Sequence, residues 1–381
     1  MIVAGYPPAV GGAERNCERL SRWLARHDVD VTVVTRGQAL APAREGRDGV
    51  RVSRSRRFTA RDGAPLRALD AASYLALVAA EIGRARRRGV DVIHVHGIDY
   101  PLPLVRLLAG NGCAVVLTVL CAGQDGEVHR LLRRGSARQV LRWGLARVDR
   151  FQSAAPPIRD ELLEIGTASE RCVDLPFGIE IPVEPSSGDE APAVVLFGGR
   201  LVEQKCPDVL LEAWAQARSS RSGARLDVAG VGPLLADLQQ ASARLGIEPS
   251  VRFVGTPPDW SARLARCAAF VLPSRAEGMS NALLEAMAAA RPIVTTDIPE
   301  NRHVLGDAAI FVPVGDVTAL ARALDAVLTD ARLRGDLGAR SRARAVERFA
   351  MDRVGEGHLA MYRSAIDDRS AAGAHRRPAH A

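Results

Sequence analysis

Short β-branched apolar runs alternate with longer stretches of helical periodicity along almost the whole chain. That alternation restricts the fold more than any other feature of the sequence. In the first half the strand-like runs occupy residues 2–4, 31–35, 92–96, 115–119 and 151–154. In the second half they occupy 194–197, 226–229, 251–254, 269–272 and 293–295. Between runs, apolar residues recur at helical spacing, as Ala13, Cys17, Leu20 and Leu24 do at i, i+4, i+7 and i+11. Further helices are expected at 207–218, 234–245 and 281–290. A chain that alternates strand and helix builds parallel sheets with right-handed crossovers. Residues 179–192, rich in Pro, Ser and acidic side chains, read as a linker between a domain at 1–178 and another at 193–349. Each domain is expected to be α/β and doubly wound, with ligands at the carboxyl ends of the strands facing a shared cleft. The last residues, 369–381, have the composition of a disordered tail.

Composition excludes several classes of function. With 47% hydrophobic and 25% charged residues, the 381-residue chain is that of a soluble globular protein. No stretch approaches the ~18 apolar residues of a membrane span, and the amino terminus reaches Pro7-Pro8 too soon for a signal peptide. The cytoplasm is the expected compartment. The first run is short for a central strand, which predicts a natural start a few residues upstream. The six cysteines form no C-x-x-C and have no histidine at ligand spacing, so neither a zinc site nor a disulfide framework is expected. The net charge of +7 is uneven: residues 1–180 carry 27 Arg against 20 Asp and Glu, and the remainder carries 24 of each sign. A pI near 9.5 raises the alternative of nucleic-acid binding. Aromatics are only 4% and no nucleic-acid module is recognisable, so no nucleic acid is expected as a partner. Of 51 basic residues, 50 are Arg and one is Lys205, which marks a position that needs a compact ammonium.

Three segments carry candidate chemistry. In Pro273-Ser274-Arg275-Ala276-Glu277-Gly278-Met279-Ser280-Asn281, a strand ends, a loop follows, and Ser280 or Asn281 can cap a helix that contains Glu285. Free amides there form an anion site between two carboxylates, suited to a phosphate flanked by hydroxyls. In Gly198-Gly199-Arg200-Leu201-Val202-Glu203-Gln204-Lys205, a glycine pair precedes two cations that could meet a diphosphate without a metal. In Gly11-Gly12-Ala13-Glu14, glycines again open a helix after a strand, in neither the dinucleotide nor the triphosphate pattern.

These residues and their order resemble the retaining nucleotide-sugar glycosyltransferases of the GT-B fold, family 4, over nearly the whole chain. Glu277 and Glu285 with Ala286-Met287-Ala288 and Arg291-Pro292-Ile293-Val294 are the most specific part. Gly199-Arg200-Leu201, Lys205 and Gly230-Val231-Gly232-Pro233-Leu234 support it. The resemblance implies two Rossmann-like domains and a last helix at 350–368 crossing back to the first. It also implies transfer of a hexose from a UDP- or GDP-sugar to a hydroxyl acceptor, with no metal or other cofactor. Arg200 and Lys205 would bind the donor diphosphate, Glu277 the donor sugar and Glu285 the ribose. Gly278, Met279, Ser280 and Asn281 would hold sugar and phosphate, Gly11 and Gly12 would close over the phosphate, and the segment around Val254 would meet the base. Glu277, Arg200 and Lys205 would carry the chemistry. A 2-epimerase or a hydrolase on the same scaffold is the alternative.

Two departures from the family stand out. The histidine often found after the strand at 115–119 is missing from Thr118-Val119-Leu120-Cys121-Ala122-Gly123, which turns attention to Gln124 and Asp125 nearby. The helix after Glu285 ends on Ala290 where the family has glycine, and a left-handed cap there would cost about 1 kcal/mol. His94 and His96 share one face of their strand. His96 could reach the acceptor side of the cleft, or the two could form a buried structural pair. Asp28-Val29-Asp30 has the spacing of a metal-binding Asp-x-Asp but lies at the wrong end of its strand. Arginines at 130, 133, 134, 138 and 142 are interleaved with Leu131, Leu132, Val140, Leu141, Trp143 and Leu145. That pattern suggests peripheral attachment to an anionic membrane face and a lipid-linked or envelope-polysaccharide acceptor.

Overall fold

The strand–helix alternation builds two separate, mainly parallel sheets. The computed structural model describes every residue except 10, 39–40, 58–63, 99–100, 111, 124–125, 134, 136, 184–192, 219–221 and 375–381. Most of the expected linker and both Gln124 and Asp125 therefore lie outside the described residues. The chain divides into two units, Met1–Gly178 with Met351–Ala381, and Ile179–Ala350.

The first unit runs β1 (Ile2–Val3), α1 (Gly12–Arg26), β2 (Thr32–Thr35), β3 (Arg44–Arg47), β4 (Val50–Arg54), α2 (Ala64–Arg88) and β5 (Val92–His96). It continues through α3 (Pro101–Leu108), β6 (Ala114–Val119), α4 (Glu127–Leu132), α5 (Ala137–Leu145), β7 (Arg150–Ser153), α6 (Pro156–Glu164) and β8 (Cys172–Asp174). Its eight-stranded sheet has the order β3-β4-β2-β1-β5-β6-β7-β8, parallel except for the β3–β4 hairpin. Successive strands leave β1 toward one edge and then resume at β5 toward the other, so the winding reverses between β1 and β5. β6 is buried at all six positions because helices cover both faces.

The second unit runs β9 (Val194–Gly198), α7 (Pro207–Gln216), β10 (Arg225–Ala229), α8 (Leu235–Arg244), β11 (Val251–Gly255), α9 (Trp260–Arg266) and β12 (Ala269–Leu272). It is completed by α10 (Asn281–Ala288), β13 (Ile293–Thr296), α11 (Pro299–Leu305), β14 (Ile310–Val312), α12 (Val317–Thr329) and α13 (Ala331–Phe349). All strand pairs in its six-stranded sheet are parallel, in the order β11-β10-β9-β12-β13-β14, and the winding reverses between β9 and β12.

Every apolar run identified in the sequence forms a strand, and four further strands, β3, β4, β8 and β14, are added. The β3–β4 hairpin turns on Asp48-Gly49, both at positive φ (52° and 80°), the backbone that an Asp-Gly turn favours. The last helix, α14 (Met351–Ala374), belongs to the first unit and continues past residue 368 into the segment expected to be disordered. Arg150 holds Asp368 at 2.5 Å and Asp149 lies 3.6 Å from Arg369, so the side chains there have partners on β7 and the loop before it.

A buried polar chain joins α14 to the sheet of the first unit. Thr118 donates to Gln152 Oε1 (2.5 Å), so His94 Nε2–H donates to Thr118 (2.6 Å) and His94 Nδ1 accepts from the Tyr362 hydroxyl (2.7 Å). Burial disfavours the imidazolium, lowering the pKa of His94 well below its usual value, His96 to about 3 and His358 to about 4. In the unfolded chain these groups titrate near 6.5, so the unfolded state binds more protons in mildly acidic solution. Stability from the neutral rings is therefore complete above pH 6.5 and is lost as pH falls toward 4, at about 1.4 kcal/mol per pH unit for each ring. Denaturant midpoints measured from pH 7.5 down to 5 should fall, and a flat profile would contradict this account. In the second unit, Ala290 follows α10 at φ 57°, the left-handed conformation that L side chains adopt at a cost. Ala290→Gly should raise stability by about 0.5–1 kcal/mol, the relieved strain outweighing the added freedom of the unfolded chain, as read from urea unfolding.

Candidate functional site

In the second unit the loops that leave β9 and β12 meet at the point where the winding reverses. The β9 loop crosses the Gly230-Val231-Gly232 turn so closely that a Cβ at Gly230 or Gly232 would overlap the carbonyl of Gly199 or Leu201. Glycine is required there by backbone proximity. Amide bonds hold the approach: Gly199 N–H to Ala229 O (3.0 Å) and Leu201 N–H to Val231 O (3.0 Å). A short 3-10 turn, Glu203–Lys205, follows, and Cys206 in a left-handed conformation turns the chain into α7.

Two polar bonds fasten this loop to the one after β12, Arg275 N–H to Gln204 O (3.0 Å) and Gln204 Nε2 to Ala276 O (2.9 Å). Thus positioned, Lys205 Nζ donates to both oxygens of Glu277, at 2.5 and 2.6 Å. The two side chains are only 14% and 5% exposed. The lone lysine and the loop carboxylate, 72 residues apart, form one ion pair. The ammonium meets both carboxylate oxygens as a single compact donor, without the two-nitrogen fork a guanidinium would use.

Ser280 caps α10, its hydroxyl accepting from Leu283 N–H at 3.4 Å, with Gly278, Met279 and Asn281 in the same bend. Glu285, just over one turn into α10, accepts from Trp260 Nε1 at 2.6 Å. Trp260 was not singled out by its sequence context. Its signal is Gly198, since a Cβ there would overlap the indole. Arg200 is exposed and Val254 half-buried on β11.

The first unit holds a second cluster at its own reversal. Glu14, in the first turn of α1, lies over Gly5 and Gly11, leaving no room for a Cβ at either. The helix start proposed for a phosphate thus already holds a carboxylate, consistent with the positive end of a helix. A cavity of about 170 Å³ follows at the carboxyl ends of β1, β5 and β6, lined by Glu14, His96, Leu120, Glu127 and Arg130 among others. Glu127 accepts the Leu120 amide at 2.8 Å. His96 stacks on His94, ring centroids 4.2 Å apart. His94 is hydrogen-bonded within the buried network, and His96, also buried, lines the cavity.

Two other candidates resolve differently. Asp28 sits in a left-handed turn after α1, and Asp30 pairs with Arg51. On the basic segment, Leu131, Leu141 and Leu145 point into the core. Val140 (52% exposed) and Trp143 (42%) are its exposed apolar side chains, with Arg106 stacked 4.4 Å over the Trp143 ring. Among the described residues, no helix is long and apolar enough to cross a membrane.

The Lys205–Glu277 pair makes its own prediction. Removing one partner of a buried pair leaves an uncompensated charge, so Lys205→Met should lower stability by about 3 kcal/mol. Adding Glu277→Gln should restore part of that loss, and strict additivity of the two changes in a double-mutant cycle would show that they do not interact.

Comparison with known proteins agrees with this geometry. Residues 11–178 match the family model described as a glycosyl transferase 4-like domain, and residues 192–330 match that of glycosyl transferases group 1. The exopolysaccharide phosphotransferase SCO2592 of Streptomyces coelicolor is 31% identical over 194 residues, 49% of this chain and 20% of that protein. The chain spans a fifth to a half of the length of the first two curated relatives it matches. Glycogen synthase of Mycobacterium tuberculosis is 29% identical over 361 residues, 87% of this chain and 86% of that one. Among solved structures, HepE of Anabaena in complex with UDP and glucose superposes with a TM-score of 0.75 at 16% identity. That superposition covers 95% of this chain and 99% of the other, a likeness of fold. The loops that meet at Lys205 and Glu277 fall in the second matched region and the Gly11–Gly12 turn in the first, and the chain belongs to the group 1, family 4 glycosyltransferases of the GT-B fold.

Proposed function

We propose that this chain is a retaining glycosyltransferase that moves a hexose from a UDP- or GDP-sugar to a hydroxyl acceptor without a metal ion. The observation that carries the reading is the Lys205–Glu277 pair beside the amino-terminal end of α10. A diphosphate entering there would compete with Glu277 for the ammonium. Lys205 would then neutralise the phosphate and Glu277 would turn to the hydroxyls of the donor sugar. Arg200, exposed on the same loop, supplies a second cation, and amides at the α10 start supply further donors. These groups stabilise charge developing on the departing β-phosphate, the electrostatic term that commonly dominates such catalysis. The acceptor oxygen bonds to the anomeric carbon on the face the phosphate leaves. The bonding pair goes to the phosphate oxygen, which takes the acceptor proton, so configuration is retained. Glu285, fixed by Trp260, is suited to the ribose hydroxyls. HepE, solved with UDP and glucose, supports the nucleotide-sugar class.

The acceptor reading is an envelope-polysaccharide or lipid-linked precursor met at an anionic membrane face. Exposed Trp143 and Val140, close to Arg106 and Arg142, support it.

Donor kinetics with EDTA present test the enzyme reading. Glu277→Gln should depress kcat at least tenfold, whereas Glu285→Gln should mainly raise the donor KM. Unchanged kinetics in both, or activity abolished by EDTA and restored by Mg²⁺ or Mn²⁺, would overturn the assignment. Conversion of donor alone to its epimer would favour a 2-epimerase. For the membrane reading, cosedimentation with anionic vesicles should exceed that with neutral ones and weaken as salt rises. Equal failure with both would leave a freely diffusing acceptor.

A further inference from the structure

His96 is 6% exposed, and neither of its ring nitrogens has a hydrogen-bond partner among the described residues. Buried polar atoms are nearly always paired, so a histidine aimed into a cavity with both nitrogens unpaired by protein calls for an occupant. Because burial keeps this imidazole neutral, it offers one N–H donor and one lone pair. A hydroxyl group, or two on adjacent carbons, answers both. A phosphate or carboxylate would want donors and would face the carboxylates of Glu14 and Glu127. An ammonium would be attracted by those carboxylates, but it carries no acceptor, so it could use only the lone pair of the imidazole and would leave the imidazole N–H unanswered. Volume narrows the ligand further: a cavity of about 150 Å³ accommodates benzene, and this one is about 170 Å³. Ile98, Leu120, Leu131 and Leu141 supply apolar walls for the C–H faces of a ring.

Resting on the glycosyltransferase reading, we propose that the cavity at the carboxyl ends of β1, β5 and β6 takes a single uncharged, polyhydroxylated six-membered ring of the acceptor, a pyranose or a cyclitol, with a hydroxyl held by His96. The stack on His94, itself fixed by Thr118 and Tyr362, holds the imidazole in one orientation. His96 is a binding group in this assignment. An imidazole held neutral by burial is a poor proton acceptor, so deprotonation of the acceptor falls to the leaving phosphate.

The test uses the full chain with myo-inositol and methyl α-D-glucopyranoside as probes. Ring-nitrogen NMR signals of ¹⁵N-histidine-labelled protein are followed, with His96 assigned from its loss in His96→Gln. Either probe should move the His96 signals, and titration should give at least tenfold weaker binding in His96→Phe, which keeps the stack and removes both nitrogens. His96→Gln, which restores a donor and an acceptor, should recover part of the affinity. Unmoved His96 signals in the wild-type protein, or equal probe affinity in His96→Phe, would overturn the assignment. UDP and GDP are titrated into the same preparations. Nucleotide binding without ring binding removes the cavity proposal and leaves the donor reading standing, while ring binding without nucleotide binding does the reverse.

Discussion

Both candidate sites in this chain depend on one constraint of parallel sheets. A strand that feeds a helix on one face, beside a strand that feeds the other face, must send its loop away from its neighbour's, and a crevice opens at their carboxyl ends. Each unit has one such reversal, between β1 and β5 and between β9 and β12. In the second unit it gathers Lys205 and Glu277 from loops 72 residues apart. In the first it gathers His96, Glu14 and Glu127 around a cavity. No long-range signal in the side chains is needed for this convergence, because the order of strands dictates it.

Polar groups at the reversal of the first unit are tolerated because α14 completes their hydrogen bonds. His94 is satisfied on both sides, by Thr118 within the sheet and by Tyr362 from the helix. Its neighbour in the stack, His96, is left with its edge toward the cavity. One buried network therefore does two jobs. It docks the carboxyl-terminal helix to the sheet, and it supports the ring that presents two unsatisfied nitrogens. The same helix approaches α1 so closely that Trp23 covers Gly355 and donates to Asp352 at 2.7 Å.

The central strands were legible because burial on both faces forces unbroken apolar runs such as Val115-Val116-Leu117. The edge strands β3, β8 and β14 were not; β3 reads Arg-Glu-Gly-Arg and is mostly exposed. Its one available sign was Asp48-Gly49. The end of α14 was misjudged for a related reason: Ala-Gly-rich sequence looks unstructured, and only the distant partners of Asp368 and Arg369 reveal that it is held. At the site, Lys205 stood out in the composition, but its pairing with Glu277 could not be read there, since nothing local encodes a contact across 72 positions. The fixing of Glu285 by Trp260 was hidden too. The sole trace of it in the sequence is a glycine at 198, whose absent side chain makes room for the indole.

In a chain with 50 arginines, the one lysine stands in a confined ion pair. Both oxygens of Glu277 lie within 2.6 Å of one nitrogen, in a space closed by the Gln204–Ala276 and Arg275–Gln204 bonds. A guanidinium would reach the two oxygens with two separate nitrogens, a different geometry from the single donor found here. The loops cannot move independently. The β9 loop rests on glycine contacts with the turn at 230–232, and the β12 loop is bound through Thr296, whose hydroxyl donates to Ser274 O at 2.5 Å. Close backbone packing thus fixes the two loops against each other, the loops bring Lys205 to Glu277, and the ammonium holds the carboxylate.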